Sequence, residues 1–154
     1  MILIGDGQEK PMLEALAKEH DVNVHFEGSC YDERRIAELT MASNLTVSPG
    51  PVGLTVIQSF AFGVPVVSND DLGTQGPECE AITPGTTGDL FQNFNVEDLA
   101  KQIKKWTSTI LIPTSTREKC IEIIDSFYNP VYQTTVFDDA VVGKPAADSS
   151  EKTK

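Results

Sequence analysis

The stretch Ser48-Pro49-Gly50-Pro51-Val52-Gly53-Leu54-Thr55 holds the residues best suited to chemistry, and that chemistry is the binding of an anion. It leaves a strand-like segment, contains two glycines, and enters a helix at Leu54 and Thr55. The first N–H groups of a helix lack intrahelical acceptors and lie at the positive end of its dipole, so they hold phosphate well. Gly53 lets an anion approach the backbone, and Thr55 adds a hydroxyl. The competing reading is a strand-to-helix loop whose glycines serve geometry alone. Gly5-Asp6-Gly7 has a similar ambiguity. Gly-x-Gly after a first strand, with the acidic Glu27 about 20 positions on, is half of a dinucleotide fingerprint. The third glycine position is Lys10, which does not provide for close helix–strand packing. His20 and His25 have no partner at ligand spacing and read as solvated or packed. Glu78 and Glu80 fall in a later loop, and Cys79 between them would be reactive only with a lowered pKa. There is no Ser-His-Asp order, no Walker lysine and no metal-ligand cluster.

The elements that must position these residues alternate. Met1–Ile4 reads as a buried strand, and Pro11 opens a helix to residue 20 with Leu13, Leu16, Ala17 and His20 at helical spacing. Val22, Val24 and Phe26 alternate as a short strand. Asp32 caps a helix with Ile36, Leu39 and Thr40 on one face. Residues 44–48 are a strand, Leu54–Phe62 a helix stopped by Gly63 and Pro65, and Val64–Val67 a buried parallel strand. A polar loop covers 69–79. Gly85-Thr86-Thr87-Gly88 turns into a strand at Asp89–Phe91, and Asn95 starts a helix with Val96, Leu99, Ala100, Ile103 and Trp106 on one stripe. Ser115 and Glu118 resemble a capping box for a helix holding Cys120, Ile123, Ile124 and Phe127. Pro130 breaks the chain before a weak segment, Val131–Val141, and residues 142–154 form a disordered tail. The order β-α-β-α-β-α-β implies an α/β fold with a doubly wound, Rossmann-like parallel sheet. Ligands bind such sheets at the carboxyl ends of strands, so the loops from Gly5, Glu27, Ser48 and Ser68 are the candidates.

The 154 residues carry 12 Lys+Arg against 23 Asp+Glu, a net charge of −11. That opposes nucleic acid or an anionic membrane surface as a partner, because both need a basic face. No apolar run approaches the ~20 residues of a transmembrane segment, and the N-terminal stretch does not resemble a signal peptide. Cys30, Cys79 and Cys120 are odd in number and far apart, which excludes a disulfide framework and suits a cytoplasmic location.

Residues 47–67, from Val47-Ser48-Pro49 through Phe62-Gly63-Val64-Pro65-Val66-Val67, resemble the donor-binding segment of retaining GT-B glycosyltransferases, the large family 4. Ile2-Leu3-Ile4-Gly5-Asp6-Gly7, Val24-His25-Phe26-Glu27-Gly28 and Pro84-Gly85-Thr86-Thr87-Gly88-Asp89-Leu90-Phe91 resemble three further motifs of that family, in the same order. The resemblance covers residues 1–106 well, the helix after 115 loosely, and the tail not at all. It implies a domain over 1–141 that is one half of a GT-B architecture. It also implies a nucleotide-diphosphate sugar as donor substrate, with no cofactor and no metal. The base would lie near Gly28, Ser29 and Tyr31, close to Gly5 and Gly7, and the diphosphate at Gly53, Leu54 and Thr55. The family's two framing glutamates fall by spacing at Gly50, the sugar-contacting position, and Gln58, the ribose position. Its later glutamate falls at Glu80. Gln58 retains hydrogen bonding but not charge, and Gly50 offers no side chain. The family's upstream diphosphate-binding Arg and Lys, and its N-terminal acceptor domain, have no counterpart here, so the resemblance implies a fragment that is inactive alone. A non-catalytic nucleotide-binding or scaffold homologue, and an NAD-binding domain, are the alternatives. No catalytic residue, base, sugar or acceptor is assigned.

Overall fold

Every strand pairing among the described residues is parallel, as strands joined by long crossovers require. The computed structural model describes residues 1–144, which fall into two units, Met1–Ser43 and the chain from Asn44. The expected tail lies outside the described residues from position 145 on.

The first unit contains β1 (Ile2–Ile4), α1 (Lys10–Glu19), β2 (His25–Gly28) and α2 (Glu33–Met41). β1 pairs with β2, Leu3 opposite Phe26 and Ile4 opposite Gly28. Asp32 caps α2 as its sequence position requires, its Oδ1 accepting from the N–H groups of Arg34 at 2.9 Å and Arg35 at 3.3 Å. Two expectations change. The strand begins at His25 rather than Val22, because the chain still turns out of α1 at Asp21, which has φ 53°. β1 is also not buried: Ile2 and Ile4 are exposed, since in a two-stranded sheet β1 has β2 on one side only.

The second unit contains β3 (Thr46–Ser48), α3 (Leu54–Ala61), β4 (Val66–Asn69), a 3-10 turn (Pro77–Ala81) and β5 (Gly88–Phe91). Helices α4 (Val96–Thr107), α5 (Thr114–Phe127) and α6 (Pro130–Val141) follow. The strand order β3-β4-β5 puts β4 in the centre, and Val64, Val66 and Val67 have no solvent exposure, which is why this run is apolar throughout. Val52, Val56, Phe60, Val66, Cys79, Ala81, Ile82 and Cys120 form the core. Gly63 ends α3 in the left-handed region at φ 68°, and the guanidinium of Arg117 donates to the Phe62 carbonyl there at 2.9 Å. Asn95 caps α4 through the Asp98 N–H at 3.0 Å.

Two boundaries are corrected. α5 begins at Thr114 with Pro113 at its N-cap and no side-chain cap, so Ser115 lies inside the first turn rather than ahead of it. Pro130 starts α6 instead of breaking the chain. Its missing N–H is harmless in a first turn, and Asn129 caps the helix by accepting from the Tyr132 N–H at 2.9 Å.

Candidate functional site

α3 starts without a side-chain cap. The first bond that closes it runs from the Val56 N–H to the Gly53 carbonyl at 3.0 Å, so the Leu54 and Thr55 amides ahead of it have no intrahelical acceptor. Leu54 is 75% exposed and Thr55 is exposed as well. A Cβ placed on Gly50 or Gly53 would meet nothing within 4 Å, and neither residue has a left-handed φ. Contact with neighbouring protein atoms therefore explains neither glycine. They leave open space in front of the helix start, as an approaching ligand needs.

The loop ahead of α3 is held from the end of β4. Gln75 Oε1 accepts from the Val52 N–H at 2.7 Å, while its Nε2 donates to Ser68 Oγ at 3.0 Å and to the Asn69 carbonyl at 2.9 Å. Ser68 Oγ donates to the Gly50 carbonyl at 3.3 Å, and Asn69 Nδ2 to the Pro49 carbonyl at 3.0 Å. Ser68 and Asn69 are buried. Gly76 completes the contact: a Cβ there would stand 3.0 Å from the Val52 carbonyl oxygen and 2.7 Å from Glu78 Oε2. None of these side chains is singled out by sequence motifs, because each meets its partner in the loop ahead of α3 across 18 to 23 residues.

Gly50, Gly53, Leu54 and Thr55 thus sit together at the open end of α3, with Gln58 exposed one turn further along. Glu80 is exposed on the 3-10 turn, and together with Glu78 it lies near Tyr128, whose pKa is raised first by burial and then by these two carboxylates. In the first unit, Gly5 and Gly7 line a 320 Å³ pocket with Leu3, Lys10, Leu13 and Phe26. Ser29 and Tyr31 lie outside that pocket, and Tyr31 is 91% exposed.

Two of the readings lose their basis. Glu27 does not offer a free carboxylate to a dinucleotide ribose. It accepts from Arg35 Nε at 2.7 Å and Nη2 at 2.8 Å and faces His25 Nε2 at 2.8 Å. Hydrogen bonds from Arg35 first and His25 second hold its carboxyl down to about 2. Cys79 is no reactive loop thiol: it lies in the core at 4% exposure, and burial pushes its pKa up. The Gly85-Thr86-Thr87-Gly88 turn serves packing. Gly85 takes φ 75°, a Cβ on Gly88 would stand 1.8 Å from the Val66 carbonyl oxygen, and the buried Thr87 hydroxyl accepts from the Thr83 N–H at 2.9 Å. Among the described residues no group of three His, Cys, Asp or Glu could hold a metal ion, and no helix is long and apolar enough to cross a membrane.

The family model for glycosyl transferases group 1 matches residues 1–125. The chain belongs to that family. Similar solved structures include Anabaena Alr3699/HepE in complex with UDP, 20% identical with a TM-score of 0.71 over 92% of this chain and 40% of that one. Sucrose-phosphate synthase from Thermosynechococcus elongatus is 21% identical with a TM-score of 0.72, covering 93% of this chain and 39% of that one. The lipopolysaccharide outer core galactosyltransferase WaaB in its apo form is 17% identical with a TM-score of 0.73, covering 92% and 40%. A comparison with curated proteins returns no match. The chain of this glycosyltransferase family member spans about two fifths of the length of those structures. They share its fold, the Rossmann-like half of a GT-B architecture.

Proposed function

We propose that this chain is the donor-binding half of a glycosyltransferase that transfers a sugar from a nucleoside diphosphate with retention of configuration. The observation that carries the reading is the uncapped start of α3, with free first-turn amides behind two glycines that no neighbouring atom crowds. Such amides favour negative charge and cost no reorganisation when it develops. At Gly53 to Thr55 they would hold the donor's diphosphate and stabilise the charge that grows on it as the sugar departs. Gln58, exposed on the same helix, would hydrogen-bond the ribose hydroxyls as donor and acceptor. Gly50 would leave the sugar without a side-chain contact from that position. Group 1 membership supports the donor class, and the similar HepE, solved with UDP and with UDP-glucose, points to a uracil nucleotide as the first ligand to try.

Calorimetric titration with UDP, GDP, uridine and NAD tests this. UDP or GDP should bind, uridine should bind far more weakly, and NAD should show no preference over either diphosphate. Gly53→Val fills the open approach and should remove the gain that the diphosphate gives over the nucleoside, with thermal stability measured alongside. Equal affinities for UDP and uridine in the parent chain, or an undiminished gain in folded Gly53→Val, would overturn the reading.

A further inference from the structure

The open amides depend on the direction of a few peptide planes: the Gly53–Leu54 plane is held by the Val56 N–H on the Gly53 carbonyl, and the planes before it have no bond within residues 49–53. Residues 49–53 contain two prolines and two glycines, so the loop offers few N–H donors and few side chains. Its carbonyls at Pro49 and Gly50 and its amide at Val52 are instead bonded by Asn69, Ser68 and Gln75 respectively. Gln75 differs from the other two. It makes three bonds, and it alone in this set binds an N–H of the loop. Its amide has one workable orientation, because the Val52 N–H can only donate and the Asn69 carbonyl can only accept. The Val52 side chain is anchored in the core at 1% exposure. Fixing its N–H as well sets the rotation of the chain at the residue immediately before Gly53 and the open amides.

We propose that Gln75 is a positioning residue: by holding the Val52 N–H it aims the amides of Gly53, Leu54 and Thr55 at the diphosphate. This rests on the nucleotide-binding reading above. Gln75 itself touches no ligand in this scheme. Its own turn is built for the task, since the Gln75 N–H donates to the Asp71 carbonyl at 3.2 Å and the Asp71 N–H to Asn69 Oδ1 at 3.0 Å. Those bonds return the chain from β4 so that residue 75 lies back over residue 52.

The test uses the full chain in three forms: parent, Gln75→Met and Gln75→Glu. Methionine keeps the volume and removes all three bonds. Glutamate keeps an acceptor for the Val52 N–H but sets an oxygen against the Asn69 carbonyl. Two readouts are taken. The first is the ratio of uridine to UDP dissociation constants, which a loss of stability alone does not change in the folded protein. The second is hydrogen exchange of the bonded amides on either side of the open ones, Val52 and Val56, relative to those of β5.

Gln75→Met should lower the ratio roughly tenfold and speed exchange at Val52 and Val56, leaving β5 protected. Gln75→Glu should fall between parent and methionine on both. If the parent prefers UDP and folded Gln75→Met keeps both the ratio and the exchange rates, the positioning role is overturned. If the parent shows no preference for UDP, the nucleotide reading fails, and exchange at Val52 and Val56 decides separately whether Gln75 holds the loop. Should Gln75→Met not fold, the glutamate variant decides by the same two readouts, with parent-like values overturning the role.

Discussion

Replacing Asp89 by alanine should destabilise the second unit by about 2–4 kcal/mol while leaving nucleotide affinity unchanged, because this carboxylate is an internal anchor rather than a ligand-binding group. Asp89 is 7% exposed in β5. Its Oδ2 accepts from Lys105 Nζ and Trp106 Nε1, both at 2.6 Å, and its Oδ1 from the Gly85 N–H at 3.2 Å. The three bonds differ in worth. The Lys105 side chain is 53% exposed and regains water when the carboxylate goes, so its share is under ~1 kcal/mol. The Gly85 N–H also bonds the Gly88 carbonyl at 2.8 Å and is not orphaned. The half-buried indole N–H of Trp106 has Asp89 as its acceptor, and losing a charged partner there costs about 1.5–3 kcal/mol. At roughly 2–4 °C per kcal/mol for a chain of this length, Asp89→Ala should lower the Tm by about 10 °C and Lys105→Met by no more than about 4 °C. Scanning calorimetry of both variants, with UDP titrated at a temperature where each is folded, is the assay. A Tm for Asp89→Ala within about 2 °C of the parent, a Lys105→Met loss as large as the aspartate's, or a selective loss of UDP binding would refute the reasoning.

Gln58→Glu should tighten UDP binding by about 1 kcal/mol, since a carboxylate accepts both ribose hydroxyls with charge-assisted bonds, whereas Gly50→Glu should leave UDP affinity nearly unchanged and alter only that for the sugar-bearing donor; calorimetry with UDP and UDP-glucose separates the two. The Glu27 carboxyl, held down to about 2 by Arg35 and His25, is depressed from its ordinary 4.5, so its contribution to stability is complete above pH 4.5 and is lost as pH falls from there toward 2. Urea unfolding of the first unit across that window should show the loss, and Glu27→Gln should flatten it. In the native chain Cys30 should be the thiol that a water-soluble disulfide reagent modifies at pH 8, because burial pushes Cys120 up to about 12 and raises Cys79 as well; rapid labelling of all three without denaturant would contradict the buried placement.

Much of this was legible in the residues themselves, for a local reason. Asp32 and Asn95 cap helices through bonds to amides two or three positions on, so the information lies within one turn. Gly63 ends α3 because only a left-handed residue fits there, and Val66 and Val67 are apolar because a central parallel strand has no wet face, although the strand starts two residues later than Val64 and runs on through the buried Ser68 and Asn69. The open start of α3 was legible too, as glycines, a strand before them and a helix after. Where local signals conflicted, the sequence misled: Ser115 and Glu118 satisfy a capping pattern, yet the helix starts two residues earlier, with Pro113 rather than Ser115 at its N-cap, and Pro130 opens a helix as readily as it ends one. The tertiary structure alone decided what the polar loop residues are for. Gln75, Ser68 and Asn69 look like ordinary loop and strand-end residues until the chain folds back and sets them against carbonyls and an amide 18 to 23 positions away. Asp89 likewise reads as one more acid until Trp106 arrives from α4. Periodicity and capping act over a few residues and are written in sequence order, whereas hydrogen bonds between loops depend on which strands become neighbours, and that order exists only in three dimensions.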